Sequence, residues 1–293
     1  MRTATDLDRG EREFSMRDAD FRIIAQAIYD HAGIVIGDHK RELVYSRLAR
    51  RLRELGLPDF KAYLDRLEGA FGDAERNHLI NALTTNHTNF FRESHHFDYV
   101  RSHLVPHWKR RAQSDGNRKL RIWSAGCSTG EEPYTLAMTM AEAMDGLGGW
   151  DWKILATDID TNVLNHCREG RYEREAVKAI PAQYRTKFFR SSSRDDGHMS
   201  VSASLKSHLV FNRLNLHAAW PMKVKFDAIF CRNVTIYFDA ESKRTLIQRF
   251  RGMMKEDACL FLGHSESLLG DSGHLKSVGR TIYAREGGVH DGA

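Results

Sequence analysis

Four cysteines in 293 residues are too few and too scattered for a disulfide or zinc framework. They stand at Cys127, Cys167, Cys231 and Cys259, no two closer than 28 positions, and each reads as a small buried hydrophobe. No apolar run approaches the roughly 18 residues that a membrane span needs. Met1 to Phe14 alternates charges and lacks the apolar stretch of a secretory signal, so the expected compartment is the cytoplasm. The Gly-Lys-Ser/Thr ending of a P-loop is missing, as are the G-x-G-x-x-G dinucleotide fingerprint and the H-E-x-x-H zinc pair. His95 and His96 are adjacent and cannot share a helix face, so no metal site is expected. Charge of one sign is also scarce. Forty-four basic residues against 39 acidic ones leave a net +5, a mixed surface unlike that of a dedicated nucleic-acid binder.

What is present is ordinary globular composition, 41% hydrophobic and 28% charged, over a length that suits about two domains. The charge is unevenly placed. Lys40, Arg41, Arg47, Arg50, Arg51 and Arg53 face a single acid, Glu42, so this short stretch holds an excess equal to that of the whole chain. Residues 17 to about 90 read as helical: Phe21, Ile24, Ala25 and Ile28 recur at helical spacing, as do Val44, Leu48, Leu52 and Leu55. Gly56-Leu57-Pro58 breaks the pattern, and Asp59 caps a helix from Phe60 to Leu67. Lys40, Arg47 and Arg51 fall near one face. That face is either simply solvated or a docking surface for an acidic helix or a phosphate backbone.

From Leu120 onward short apolar runs alternate with helical stretches. Strands are expected at 119–124, 152–156, 208–211, 226–230 and 259–262, with an extended close at 279–285. Helices are expected at 131–144, 162–168 and 241–254. This alternation predicts a doubly wound α/β domain with a parallel sheet covered on both faces. Residues 170–205 interrupt it with a short helix, 182–188, and a hairpin whose tip is Ser191 to Gly197.

The loop after the first strand, Ala125-Gly-Cys-Ser-Thr-Gly-Glu-Glu-Pro133, places small residues where a ligand meets the carboxyl ends of the strands. The second strand ends in Thr157-Asp-Ile-Asp160, and an acid there is the usual acceptor for ribose hydroxyls. With no visible anion site for a pyrophosphate, the pair suggests an adenosyl ligand without phosphates, S-adenosylmethionine.

Two further stretches carry a resemblance. Leu83-Thr-Thr-Asn-His-Thr-Asn-Phe-Phe-Arg-Glu-Ser-His-His-Phe97 and Phe226-Asp-Ala-Ile-Phe-Cys-Arg-Asn-Val-Thr-Ile-Tyr-Phe-Asp239, with Gly130-Glu-Glu-Pro-Tyr134, closely resemble the chemotaxis receptor methyltransferases, the CheR family. The resemblance runs from about Met16 to Arg285. It implies an α/β fold: a Rossmann-like doubly wound methyltransferase sheet with an all-α N-terminal domain and a small antiparallel β insertion. The implied partition is a receptor-docking helical domain at 16–84, a linker contributing to the cofactor site at 85–98, and a methyltransferase domain at 99–286 with the insertion at 170–205.

The same resemblance implies S-adenosylmethionine as cofactor and S-adenosylhomocysteine as product. It puts Asn86, Thr88 and Arg92 over the methionine end of the cofactor, Glu131 beside the glycine turn and Asp158 on the ribose. Asn215 and Leu216 would flank the adenine, with Arg232 and Asn233 finishing the pocket. Thr235 departs from the Met or Leu usual in the family. The implied reaction is methylation of glutamate carboxylates on the cytoplasmic helical bundle of a chemoreceptor, Arg92 orienting the carboxylate and Tyr237 lining the transfer position. Lys40, Arg47, Arg50 and Arg51 become docking candidates, and the insertion a seat for the receptor's C-terminal peptide. A monomer is expected. The readings left open are a nucleic-acid methyltransferase of the same fold and a receptor-binding descendant that has lost transfer. Against the first stand a missing Asn/Asp-Pro-Pro-Tyr/Phe signature and the lack of a basic patch interleaved with aromatics.

Overall fold

The chain divides into two units between Thr84 and Thr85. The structure, a computed structural model, describes residues 12–70, 72–191, 197–268 and 274–286. In the first unit, helices α1 (Asp18–Ala32), α2 (Arg41–Leu55), α3 (Phe60–Glu68) and α4 (Gly72–Leu83) enclose one apolar core. Phe21, Ile24 and Ile28 of α1 meet Val44, Leu48 and Leu52 of α2 there, as the helical spacing requires. Asp59 caps α3 by accepting from the Ala62 N–H at 2.9 Å. Gly33 and Gly56 end α1 and α2 in the left-handed conformation that glycine adopts without strain.

The second unit opens with α5 (His95–Tyr99) and α6 (Val105–Asp115), joined by a π-turn. Then follow β1 (Lys119–Ala125), α7 (Glu131–Ala143), β2 (Asp151–Asp158), α8 (Thr161–Glu169), β3 (Arg171–Glu173), α9 (Arg174–Lys178), α10 (Ala182–Phe188), β4 (Phe189–Ser191), β5 (His198–Val201), α11 (Ala203–Lys206), β6 (Leu209–Arg213), β7 (Phe226–Cys231), α12 (Ala240–Met253), β8 (Met254–Leu262), β9 (Leu275–Gly279) and β10 (Ile282–Arg285). Among the described residues, seven strands form the main sheet in the order β6-β2-β1-β7-β8-β10-β9. Strand alternation sends Leu120, Ile122, Ala228, Phe230, Cys259 and Phe261 to one apolar layer under α7. Trp123, Ala125, Ile229, Cys231, Leu260 and Leu262 go to the other, against Leu246 and Phe250 of α12. The order turns back at β1, so the crevice beyond the carboxyl ends of β1, β2 and β7 is where a ligand belongs.

Two features differ from the sequence reading. The extended close is an antiparallel hairpin, β9 and β10, so the sheet is mixed rather than parallel throughout. The insertion is a three-stranded antiparallel sheet, β3-β5-β4, because three residues of β3 pair with β5 alongside β4. Residues 192–196, most of the expected hairpin tip, lie outside the described residues. The four cysteines are free and buried.

A buried ionic cluster braces the far end of the sheet. Asp227 of β7, fully buried, accepts from Arg111 of α6 (2.6 Å) and Lys255 of β8 (2.8 Å). Arg111 also reaches Asp257, which pairs with His107 at 2.8 Å.

Candidate functional site

The loop from Gly126 to Gly130 spends four of its five N–H groups within the protein. Gly126 and Cys127 both donate to the Thr157 carbonyl (2.8 and 2.9 Å), Gly130 to the Cys127 carbonyl (3.1 Å), and Ser128 to Asp158 Oδ2 (2.8 Å). A phosphate-binding loop needs those groups pointing outward. Here they close a tight turn onto β2, which fits a phosphate-free ligand. Gly126 has φ +78° and sits so close to Val234 that any Cβ would overlap that side chain.

Asp158 lies at the centre of a closed circuit. Its Oδ1 accepts from the Asp160 N–H at 3.0 Å, and Asp160 Oδ2 accepts from the Asn86 side-chain amide at 2.8 Å. The Ser128 hydroxyl returns to the Asn86 carbonyl at 2.9 Å. Linker, glycine loop and strand exit are thereby locked together. Burial pushes the Asp158 carboxyl up to about 6, partly offset by the backbone N–H groups of Asp160 and Ser128. Glu131, the first residue of α7, is also buried and raised by burial, with the Thr129 hydroxyl donating to it at 2.7 Å. Two desolvated carboxylates at one strand-end crevice suit a ligand rich in hydroxyl and ammonium donors.

The other sequence-derived residues converge on this place to different degrees. The Leu214 N–H donates to the Asp158 carbonyl (2.9 Å), which brings Asn215 and Leu216 beside the β2 exit. The Asn215 side chain closes its own turn by accepting from the His217 N–H at 2.9 Å. Arg232 is buried. It spans Glu132 (3.1 Å), Glu93 (3.5 Å) and the Arg92 carbonyl, and stands over the Phe97 ring. Its guanidinium thus ties linker to sheet and α7. Arg92 is half-buried and spends one N–H on the His87 carbonyl at 3.1 Å. Thr88 and Asn233 are half-buried, Asn233 in the left-handed conformation at φ +58°. Tyr237 ends a 3₁₀ turn, Thr235–Tyr237, and is half-buried.

The basic helix comes out differently. Arg51 grips buried Glu75 with two hydrogen bonds of 2.9 Å, and Arg47 donates to the Ala82 and Thr84 carbonyls at 3.1 and 2.8 Å. Both guanidiniums make these hydrogen bonds inside the first unit. Arg50 is exposed beside Glu54, and Lys40 is half-buried at the head of α2.

Two residues escaped the sequence reading. Glu266, buried behind the β7 exit, accepts from the N–H groups of Asn233 (2.7 Å), Val234 (2.9 Å), Thr235 (2.7 Å) and Gly263 (2.6 Å), and from the Thr235 hydroxyl (2.9 Å). It fixes the segment that presents Asn233 and Tyr237. Arg249 of α12 donates to the Leu216 carbonyl (2.6 Å) and the Ala218 carbonyl and stacks 4.0 Å over Trp220, fixing the 214–220 segment. The one available signal was an acid three residues after Gly263, a glycine whose added Cβ would crowd Glu266 itself.

A doubly wound sheet with a glycine turn folded tightly onto its second strand and a buried acid ending that strand defines the class of Rossmann-like methyltransferases that use S-adenosylmethionine. Comparison with known proteins is more specific. Residues 86–284 match the "CheR methyltransferase, SAM binding domain", and residues 19–84 the "CheR methyltransferase, all-alpha domain". A chemotaxis protein methyltransferase of Salmonella typhimurium is 44% identical over 275 residues, spanning 93% of this chain and 92% of that protein. Chemotaxis protein methyltransferase 2 of Pseudomonas aeruginosa is 42% identical over 279 residues, spanning 94% and 96%. A probable chemotaxis protein methyltransferase of Rhizobium etli is 42% identical over 258 residues, spanning 87% and 96%. The chain belongs to the CheR methyltransferase family. Among the described residues, no helix is long and apolar enough to cross a membrane.

Proposed function

We propose that this protein transfers the methyl group of S-adenosylmethionine to glutamate side chains of chemoreceptors, forming methyl esters during sensory adaptation. The observation that carries this reading is the circuit around Asp158, in which a buried acid faces the crevice beside a glycine turn that spends four of its five N–H groups, those of Gly126, Cys127, Ser128 and Gly130, within the protein. In this reading Asp158 holds the ribose, while Asn215 and Leu216 flank the adenine. Glu131, Asn86, Thr88 and Asn233 surround the methionine end. Arg232 acts from behind by holding Arg92 in place.

When bound, S-adenosylmethionine supplies an electrophilic methyl on a sulfonium. The nucleophile is a glutamate carboxylate, ionised at neutral pH from an ordinary pKa of about 4.3, so no general base is needed. The protein's task is orientation, which in favourable cases supplies on the order of 7–11 kcal/mol. Arg92 orients the incoming carboxylate and Tyr237 lines the path of the methyl. Because opposite charges cancel in the transfer, exclusion of water favours the transition state.

Lys40 and Arg50 are the docking residues of this reading, steering an acidic receptor bundle on the cytoplasmic side of the membrane. The small sheet would seat an extended receptor tail by strand addition, raising local concentration. The nucleic-acid alternative loses much of its motive, since Arg47 and Arg51 are spent internally.

The test is transfer of labelled methyl from S-adenosylmethionine to receptor-containing membranes, followed by mild base. Base-labile label on a receptor-sized band is expected, since a glutamyl methyl ester hydrolyses and a methylated amine does not. Base-stable label, or label on nucleic acid, would overturn the glutamate reading.

A further inference from the structure

The inserted small sheet reaches the cofactor loop through one buried hydroxyl. Tyr172, the middle residue of β3, is 3% exposed and donates to the Thr129 carbonyl at 2.7 Å. Thr129 lies between Ser128, which holds Asp158, and Gly130, whose φ of +100° starts α7. The space at Gly130 is filled by the same group: a Cβ there would stand 2.6 Å from the Tyr172 hydroxyl and 2.9 Å from Cys167 Sγ. The linker fixes the tyrosine ring in turn. Phe90 packs edge-on against Tyr172 at 4.9 Å and against Phe189 of β4 at 5.8 Å. Phe91 stacks on Tyr184 of α10 at 5.3 Å and donates its N–H to Thr135 of α7 at 3.2 Å. The insertion therefore grips both stretches that carry the proposed cofactor contacts.

We propose that Tyr172 is a positioning residue for the cofactor loop, which makes the inserted subdomain a working part of the cofactor site and more than a docking appendage. The proposal rests on the cofactor reading of residues 125–131. The Tyr172 hydrogen bond lies outside the ligand contacts, so it acts by preorganisation. Without it the loop populates other conformations, and the apparent Kd rises by the reciprocal of the competent fraction. A single neutral buried hydrogen bond shifts such a population roughly three- to tenfold.

Tyr172→Phe keeps the ring and deletes only the hydroxyl. Tyr134→Phe is the matched control: that hydroxyl is equally buried but donates to the Cys167 carbonyl of α8 at 2.7 Å, not to a carbonyl of the loop. Calorimetry with S-adenosylhomocysteine gives Kd, methylation of receptor membranes gives KM and kcat, and urea unfolding gives stability. Tyr172→Phe is expected to raise Kd and the S-adenosylmethionine KM roughly three- to tenfold with kcat within about twofold. Tyr134→Phe should leave both binding constants within about twofold while costing similar stability. Equal binding losses in the two variants, or an unchanged Kd in Tyr172→Phe, would overturn the proposal. If the unsubstituted protein fails to bind S-adenosylhomocysteine, the cofactor reading itself falls, and this proposal with it.

Discussion

Cofactor affinity should fall in mild acid, and Asp158 should be the cause. Its carboxyl is raised to about 6 chiefly by burial, so it gains its proton while ordinary aspartates are still ionised. A protonated carboxyl is a poor acceptor for ribose hydroxyls. If the ionised form alone binds well, affinity drops about tenfold per pH unit below that value, so at pH 5 roughly a tenth of it remains. The assay is the Kd of S-adenosylhomocysteine by calorimetry from pH 5 to 8. Asp158→Asn should weaken binding by about 10- to 100-fold, the loss of charge-assisted hydrogen bonds, and should flatten the profile. Glu131, also raised by burial, supplies the competing explanation. A bend that persists in Asp158→Asn, or a flat profile in the unsubstituted protein, would refute the assignment.

Three further outcomes follow from the same geometry. Gly126→Ala forces a side chain into φ +78° and onto Val234, and should cost about 1–3 kcal/mol in urea unfolding; adding Val234→Ala should recover the overlap but not the backbone strain. Glu266→Gln leaves one oxygen to serve five donors, and should cost about 2–3 kcal/mol of stability and at least tenfold in methylation rate; equal stability would show that the 233–235 segment holds itself. Arg51→Ala exposes the need of buried Glu75 and should destabilise by about 3 kcal/mol, whereas Arg50→Ala should stay within about 0.5 kcal/mol and slow receptor methylation only.

Much of the architecture was legible because period is a local property. The helices of the first unit announce themselves by spacing, the five parallel strands of the main sheet by short apolar runs, and Asp59 by its place before an apolar run. Strands β3 and β4 are three residues long, too short for alternation to register, so the insertion read as a hairpin. Distance in sequence hid the rest. Glu75 lies 24 positions from Arg51, and Glu266 lies 31 to 33 from the Asn233, Val234 and Thr235 N–H groups that donate to it. A charge pattern along one helix shows where guanidiniums stand but not that a buried carboxylate elsewhere has claimed them. The site residues were reached through motif resemblance, and the circuit that joins Asn86, Ser128, Asp158 and Asp160 is visible only once three separate segments meet.

The two ends of the sheet respond to acid in opposite ways. At the site end, Asp158 is raised by burial, so between about pH 4 and 6 the folded chain holds a proton that the unfolded chain has lost. Stability from this group is complete below pH 4 and is lost as pH rises through 6, a cost of about two pKa units or about 3 kcal/mol at neutral pH. At the far end, Asp257 is depressed despite its burial, because His107 and Arg111 hold its charged form. Its contribution is present at neutral pH and disappears as pH falls through its depressed value. A ligand that donates hydroxyls to Asp158 favours the charged form and removes the first cost without touching the second. The apo protein should therefore gain more from S-adenosylhomocysteine at pH 7.5 than at pH 5, measured as the shift in thermal midpoint at saturating ligand. An equal shift at both pH values would mean that the buried acid at the end of β2 is not where the ligand's hydroxyls go.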